Sequence, residues 1–195
     1  MGKRPGVRRR GRGGMQFRAA ATQKLKPAKY PSFSLDEERK GEIIDLVHES
    51  GRDVPLSKVR FEDGAISFIP APLGTKVGQR ISFGLNSEII DGNVISIQNI
   101  PDGTIVCNVE KQFGDGGSFI KTAGADATVF SHADDGVILK LASGKFKKLN
   151  PKNRAMIGTL AGGGVEDRPF MRAGVKMMRF KSKGQKYPIV RGVAQ

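Results

Sequence analysis

Between residues 41 and 160 apolar and polar positions alternate with a period of two in short runs, the spacing of strands with one face buried. Ile44 and Leu46, set against Ile43, Asp45 and Val47, predict a first strand, and Val59 and Phe61, set against Lys58, Arg60 and Glu62, a second. Glu62-Asp63-Gly64 is a hairpin turn, because aspartate and glycine accept the backbone angles it needs, and Ala65 to Ile69 returns as a third strand ended by Pro70 and Pro72. A fourth runs from Val77 to Phe83, with Ile81 and Phe83 on one face. No amphipathic helix is predicted, and the best short candidate is Ser34-Leu35-Asp36-Glu37-Glu38, where Ser34 suits a cap.

The irregular stretch 86–93 contains Asp91-Gly92 and divides this set from a second. There TIVCNVE (104–110), ATVFS (127–131), VILKLA (137–142), KFKKL (145–149) and AMIGTL (155–160) are separated by Gly- and Asp-rich turns, which predicts a five-stranded antiparallel barrel. Short strands joined by turns, without intervening helices, mark an all-β protein.

Outside these limits the pattern vanishes. Residues 3–29 hold ten basic residues and no acid, and residues 168–191 hold eight and no acid, with glycine, proline and scattered aromatics between them. The net charge of +14 therefore resides in two end segments around a mildly acidic middle. Unpaired cations at that density resist burial and call for an acidic partner such as RNA, whose phosphates match the arginine fork. Phe17 and Tyr30 among arginines suit a segment that orders on RNA. Candidate contacts are Lys3, Arg4, Arg8, Arg9, Arg10, Arg12 and Arg18 in the first arm, and Arg168, Arg172, Lys176, Arg179, Lys181, Lys183, Lys186 and Arg191 in the second. Arg52, between Gly51 and Pro55, and Arg154, before the last strand, stand apart as candidates on rigid supports.

Other chemistries find little footing. No stretch approaches the roughly 20 apolar residues of a membrane span, and the N-terminus lacks the apolar core of a signal peptide, so an intracellular protein without membrane contact is expected. Cys107 is the single cysteine, which excludes an internal disulfide and leaves it as a small apolar residue. His48 and His132, with Glu49 and Asp134 nearby, invite a metal site or a hydrolase, yet two histidines without matched further ligands are more often structural. Asp134-Asp135-Gly136 reads as a turn. Gly162-Gly163-Gly164 lacks the lysine and hydroxyl residue of a phosphate-binding loop. Neither enzyme activity, metal nor cofactor is expected.

Ordered motifs run along nearly the whole chain: MGKR and RRRGRGG at the start, GR..PL (51–56), KVRFEDG (58–64), IPAPLGTKVGQ (69–79), IPDGT (100–104), VCNVE (106–110), GDGG (114–117), SGKFK (143–147), RAMIG (154–158), AGGG (161–164) and YPIVRGVA (187–194). In these the chain resembles the universal large-subunit ribosomal protein two family, in its archaeal-type form. The resemblance implies an OB-like barrel followed by an SH3-like barrel, with long basic extended arms. On that basis residues 1–35 form a basic extension, 36–88 an OB-like RNA-binding barrel, 89–165 an SH3-like barrel and 166–195 a second basic extension. It further implies large-subunit rRNA and neighbouring ribosomal proteins as partners, a contact with the small subunit, and a place near the peptidyl-transferase region of a cytoplasmic ribosome. Glu49-Ser50 and Asp53-Val54 depart from the family's usual loop around Arg52, and the family's glycine-rich, histidine-containing tail has no counterpart up to Gln195. A DNA-architectural protein is the rival reading, and a hydrolase a distant third.

Overall fold

The computed structural model describes residues 6–19, 21, 24–32, 38–85, 87–133 and 135–189. Two compact units emerge: a body of Lys26–His48 with Asp53–Val165, and an arm unit of Met1–Leu25, Glu49–Arg52 and Glu166–Gln195.

The body is a ten-stranded sheet, consistent with the all-β OB-like and SH3-like expectation. β1 (Arg39–Val47), β2 (Leu56–Phe61), β3 (Ile66–Pro70) and β4 (Arg80–Gly84) form the first set, and β5 (Val94–Ser96), β6 (Ile105–Cys107), β7 (Ala127–Ala133), β8 (Gly136–Leu141), β9 (Phe146–Leu149) and β10 (Arg154–Ile157) the second. Their order across the sheet is β3-β2-β1-β4-β5-β10-β6-β7-β8-β9. A single parallel pairing, Phe83 with Val94 and Gly84 with Ile95, joins the sets. Leu73 N–H donates to Thr159 O (2.8 Å) and Ala161 N–H to Ala71 O (3.0 Å), returning the chain after β10 to the end of β3.

Two apolar cores fill the body, and three strands serve both. In β5, β6 and β10 the side chains alternate between them: Val94, Cys107 and Met156 enter the core of Ile43, Val59, Ile69, Ile81 and Phe83, while Ile95, Val106, Ala155 and Ile157 enter that of Val129, Val137, Leu139 and Leu149. A strand buried on both faces has no polar partner residues to alternate with, so it reads as an unbroken apolar run. This is why the three-residue β5 escapes a period-two search, and the second set holds six strands rather than five.

β1 also departs from its expected phase. Its register shifts between Ile43 and Asp45, so the inward side chain is Ile43, and Leu46 faces solvent. Gly41 opposite Phe61 is required for packing, since a Cβ there would lie 2.6 Å from Val59 Cγ1. β4 begins at Arg80, three residues later than expected, after the turn at Gly78. The short helix expected at residues 34–38 falls on residues outside those described, save Glu38, which is not helical.

Candidate nucleic-acid interface

The arm unit contains a helix where the sequence pattern predicted none, α1 (Ala173–Ser182). It has no buried residue, so there is no apolar stripe to find; its support is the propensity of Lys, Met and Arg, with Arg179 and Lys181 in the last turn complementing the helix dipole. Its end was legible. Gly184 takes φ +70°, its N–H donates to Lys181 O (3.0 Å), and the N–H of Gln185 donates to Phe180 O (2.8 Å), a Schellman stop.

Aromatic rings and cations interleave around this helix. Lys176 Nζ lies 5.1 Å from the Tyr187 ring centre and 5.8 Å from that of Phe170, Arg179 stacks 5.4 Å over Phe170, and Phe180 packs on Tyr187 at 5.4 Å. Half-buried cations thus lie against ring faces. The N-terminal arm, with short 3-10 turns at Gly6–Arg9 and Met15–Phe17, runs beside this segment. A Cβ on Gly184 would sit 2.8 Å from Ala19 N, so the two arms approach backbone to backbone there. The arms are therefore gathered into one unit.

Within it Arg8, Arg9, Arg10, Arg12, Arg18, Arg168, Arg172, Lys181 and Lys183 are exposed, and Lys176, Arg179 and Lys186 are half-buried. Lys3, Arg4 and Arg191 lie outside the described residues. Arg52 belongs to the same unit. Its Nε donates to Glu49 Oε2 at 2.5 Å, and Lys24 Nζ lies 3.9 Å from Glu49 and donates to Ser50 O at 2.7 Å. Glu49 is buried and fixes both cations by the backbone of their loop. This unit holds seventeen basic and three acidic residues, and the body sixteen of each. All of the chain's excess charge is there.

Arg154 is corrected by its surroundings. It is 2 % exposed, and Nε (3.1 Å) and Nη2 (2.6 Å) both donate to Glu110 Oε1, while its backbone N–H donates to Oε2 (3.0 Å). Nη1 donates to Pro31 O, and the guanidinium lies 5.5 Å from the Tyr30 ring centre. A guanidinium so enclosed is an internal clamp, with no face turned to a phosphate. Tyr30 is likewise no RNA ligand but a core residue, its hydroxyl donating to Asn108 O (2.5 Å). Burial, first, and then the nearby Cys107 and Glu110 push the Tyr30 phenol well above its ordinary value. Burial likewise raises the Cys107 thiol to about 12 and keeps it neutral.

The GDGG loop is a fixed turn. Asp115 accepts from the N–H groups of Lys111 (3.0 Å) and Gly117 (2.8 Å) and from the Ser118 hydroxyl (2.6 Å). Desolvation pushes its carboxyl up, but these donors together outweigh it and hold the pKa below the usual aspartate value. Gly117 cannot carry a side chain, because a Cβ would meet Asn108 Oδ1 at 2.5 Å. His132 pairs with Asp102 (2.7 Å) and not with a metal-ligand set, and among the described residues no group of three potential ligands converges. Nor is any described helix long and apolar enough to cross a membrane.

A family model described as Ribosomal Proteins L2, C-terminal domain, matches residues 90–195. The chain is 71% identical over 195 residues to the Large ribosomal subunit protein uL2 of Cenarchaeum symbiosum (strain A), covering 100% of this chain and 80% of that one. It is 70% identical over 196 residues to the protein of the same name from Nitrosopumilus maritimus (strain SCM1), again over 100% and 80%. With the counterpart from Korarchaeum cryptofilum (strain OPF8) identity is 45% over 194 residues, 100% of this chain and 79% of the relative.

Proposed function

Because the chain belongs to the uL2 family of large-subunit ribosomal proteins, a family of structural, non-enzymatic components of the cytoplasmic ribosome, we propose that it binds large-subunit rRNA chiefly through its arm unit. The observation that carries this reading is the partition of charge, with the whole +14 on the unit in which no described apolar residue is buried. Arg8, Arg9, Arg10, Arg12 and Arg18 on one arm, with Arg168, Arg172, Lys176, Arg179, Lys181, Lys183 and Lys186 on the other, replace counterions at phosphates and hold neighbouring RNA segments together. Lys3, Arg4 and Arg191 extend the same set in sequence. Arg52 adds a guanidinium oriented by Glu49. The barrels, 36–88 and 89–165, are the rigid supports. By resemblance to the family the particle's neighbouring proteins, the small subunit and the peptidyl-transferase region are the expected surroundings.

The test is binding of the full chain to transcribed large-subunit rRNA and to duplex DNA at matched salt. Tighter, salt-sensitive binding to the rRNA is expected. Equal affinity for both would favour the DNA-architectural reading.

A further inference from the structure

The neutral body carries one surface that its packing leaves unexplained. Phe130 and Phe146 are 55% and 57% exposed, and their rings meet edge to face at 4.9 Å and 64°. Phe130 stands where the β7 register shifts between Val129 and Ser131, an irregularity that turns an extra side chain outward. Phe146 opens β9 opposite Lys140, which in turn faces Thr128 on β7. Cross-strand partners share a face of the sheet, so Thr128, Lys140 and Phe146 form one outer row. Ile105 extends that row beyond Thr128 and is also exposed.

The chain through β8 and β9 is one-sided in charge. Residues 136–165 contain no acid, while Lys140, Lys145, Lys147, Lys148 and Lys152 fall among them. Asp135, just before the stretch, pairs with Lys148. Two solvent-facing aromatic rings, one of them in a row with Lys140, are poorly suited to the same face of a second copy, which would bring like charge to like. They suit an anion that carries its own flat apolar face.

We propose that the outer face of β7, β8 and β9 is a stacking platform for an unpaired nucleobase of RNA, the ring of Phe130 or Phe146 taking the base and the lysines its flanking phosphates. This rests on the reading that the chain binds rRNA, and adds a contact that acts by a different force. Phosphate contacts release counterions and set the salt dependence, whereas stacking shifts affinity at every salt.

The experiment uses the full chain and transcribed large-subunit rRNA, titrated across a salt series. The paired variants are Phe130→Ala with Phe146→Ala, Phe130→Leu with Phe146→Leu, and Phe130→Tyr with Phe146→Tyr. Loss of one stacked base is worth about fivefold to 150-fold. The alanine and leucine pairs should therefore bind at least about fivefold more weakly with an unchanged log-log salt slope, and the tyrosine pair should bind as the wild type. Thermal midpoints identify a folding failure, and the leucine pair keeps both positions apolar. Wild-type affinity in the leucine pair overturns the proposal. So does undiminished rRNA affinity together with loss of a neighbouring protein from ribosomal particles, which would assign the face to a protein. A wild-type chain that does not bind rRNA at all sinks the underlying reading instead.

Discussion

The body and the arm unit hold their cations by opposite means. In the body sixteen basic residues match sixteen acids, and Arg154, its most buried cation, is enclosed by a wholly buried Glu110. In the arm unit seventeen basic residues face three acids, and among residues whose burial is described Glu49 alone is buried. Burial costs an ion its hydration, so a charge inside a fold must have its partner there too. A charge left at the surface keeps its hydration and can exchange it for a phosphate. Whether an arginine serves fold or partner thus follows from whether its own guanidinium is enclosed.

The widest contrast should appear in amide exchange of the free chain. Among the described residues no arm amide lies under an apolar core, so the arms should exchange with little protection, while β5, β6 and β10 should exchange only through global opening. Residues 26–32 belong with the body, since Ala28 and Tyr30 are buried, Lys29 N–H donates to Phe68 O, and Lys121 Nζ donates to Ala28 O. On rRNA the arms should become protected. Equal protection of both units without RNA would erase the distinction.

Next in size is Glu110→Ala, which strands the Arg154 guanidinium in the interior. Breaking a buried pair from one side costs about 3–5 kcal/mol, and denaturant unfolding should show a loss of that order. Arg154→Lys should also be costly, because one ammonium cannot make both donations to Oε1 and still reach Pro31 O. A stability loss under about 1 kcal/mol in the Glu110 variant would mean the clamp is slack.

The arm side of the comparison is sharpened by Arg8, Arg9, Arg10 and Arg12 replaced together by alanine. Every phosphate that no longer meets a guanidinium should lower the log-log salt slope of rRNA binding by roughly 0.7 to 0.9. The thermal midpoint should stay put, since all four side chains are exposed. An unchanged slope would leave them as a solvated tail.

Much of the body was legible because half-buried strands write their burial in alternate residues: Ile81 and Phe83, or Val137 and Leu139, needed only a period of two. What stayed hidden has physical causes. β5 is buried on both faces and too short to show a period. α1 buries nothing, so hydrophobicity carries no trace of it, although the Lys-Met-Arg run closed by Gly184 was a usable signal. The fate of Arg154 depended on Glu110, 44 residues away, a pairing no local pattern reveals. The convergence of the two arms is longer-range still. Their charge was plain from composition; their packing was not.

Titration acts within the body. Cys107 and Tyr30, both in the first core, have raised folded values, so the stability their neutral forms contribute is fully present below their unfolded values and is lost as pH rises. For Cys107 the window runs from its ordinary 9.0 to about 12, and within it stability should fall by about 1.4 kcal/mol per pH unit. Asp115 works the other way. Its folded value is lowered, so its contribution is present above the ordinary 3.8 and lost as pH falls through the folded value. Urea midpoints of the full chain and of Cys107→Ala between pH 8 and 11 test the alkaline limb, which should be shallower in the variant.

A small effect on folding is expected at Arg52, the counterpart in the arm unit of Arg154. Both arginines touch a buried glutamate, but the Arg52 side chain is 30% exposed where that of Arg154 is 3%. Solvent screens the Arg52 pair, and its contribution should be about 1 kcal/mol or less. Glu49 retains Lys24 within 3.9 Å in either case. Arg52→Lys should accordingly move the thermal midpoint little, while weakening rRNA binding, since lysine keeps the charge and loses the planar fork that matches a phosphate. Arg154→Lys should show the reverse, a fall in midpoint with the salt slope of binding preserved. Paired midpoints and rRNA affinities for the two variants therefore test one rule twice. If both lose stability and neither loses affinity, Arg52 is also a clamp, and the contact with RNA belongs to the exposed arginines of the arms alone.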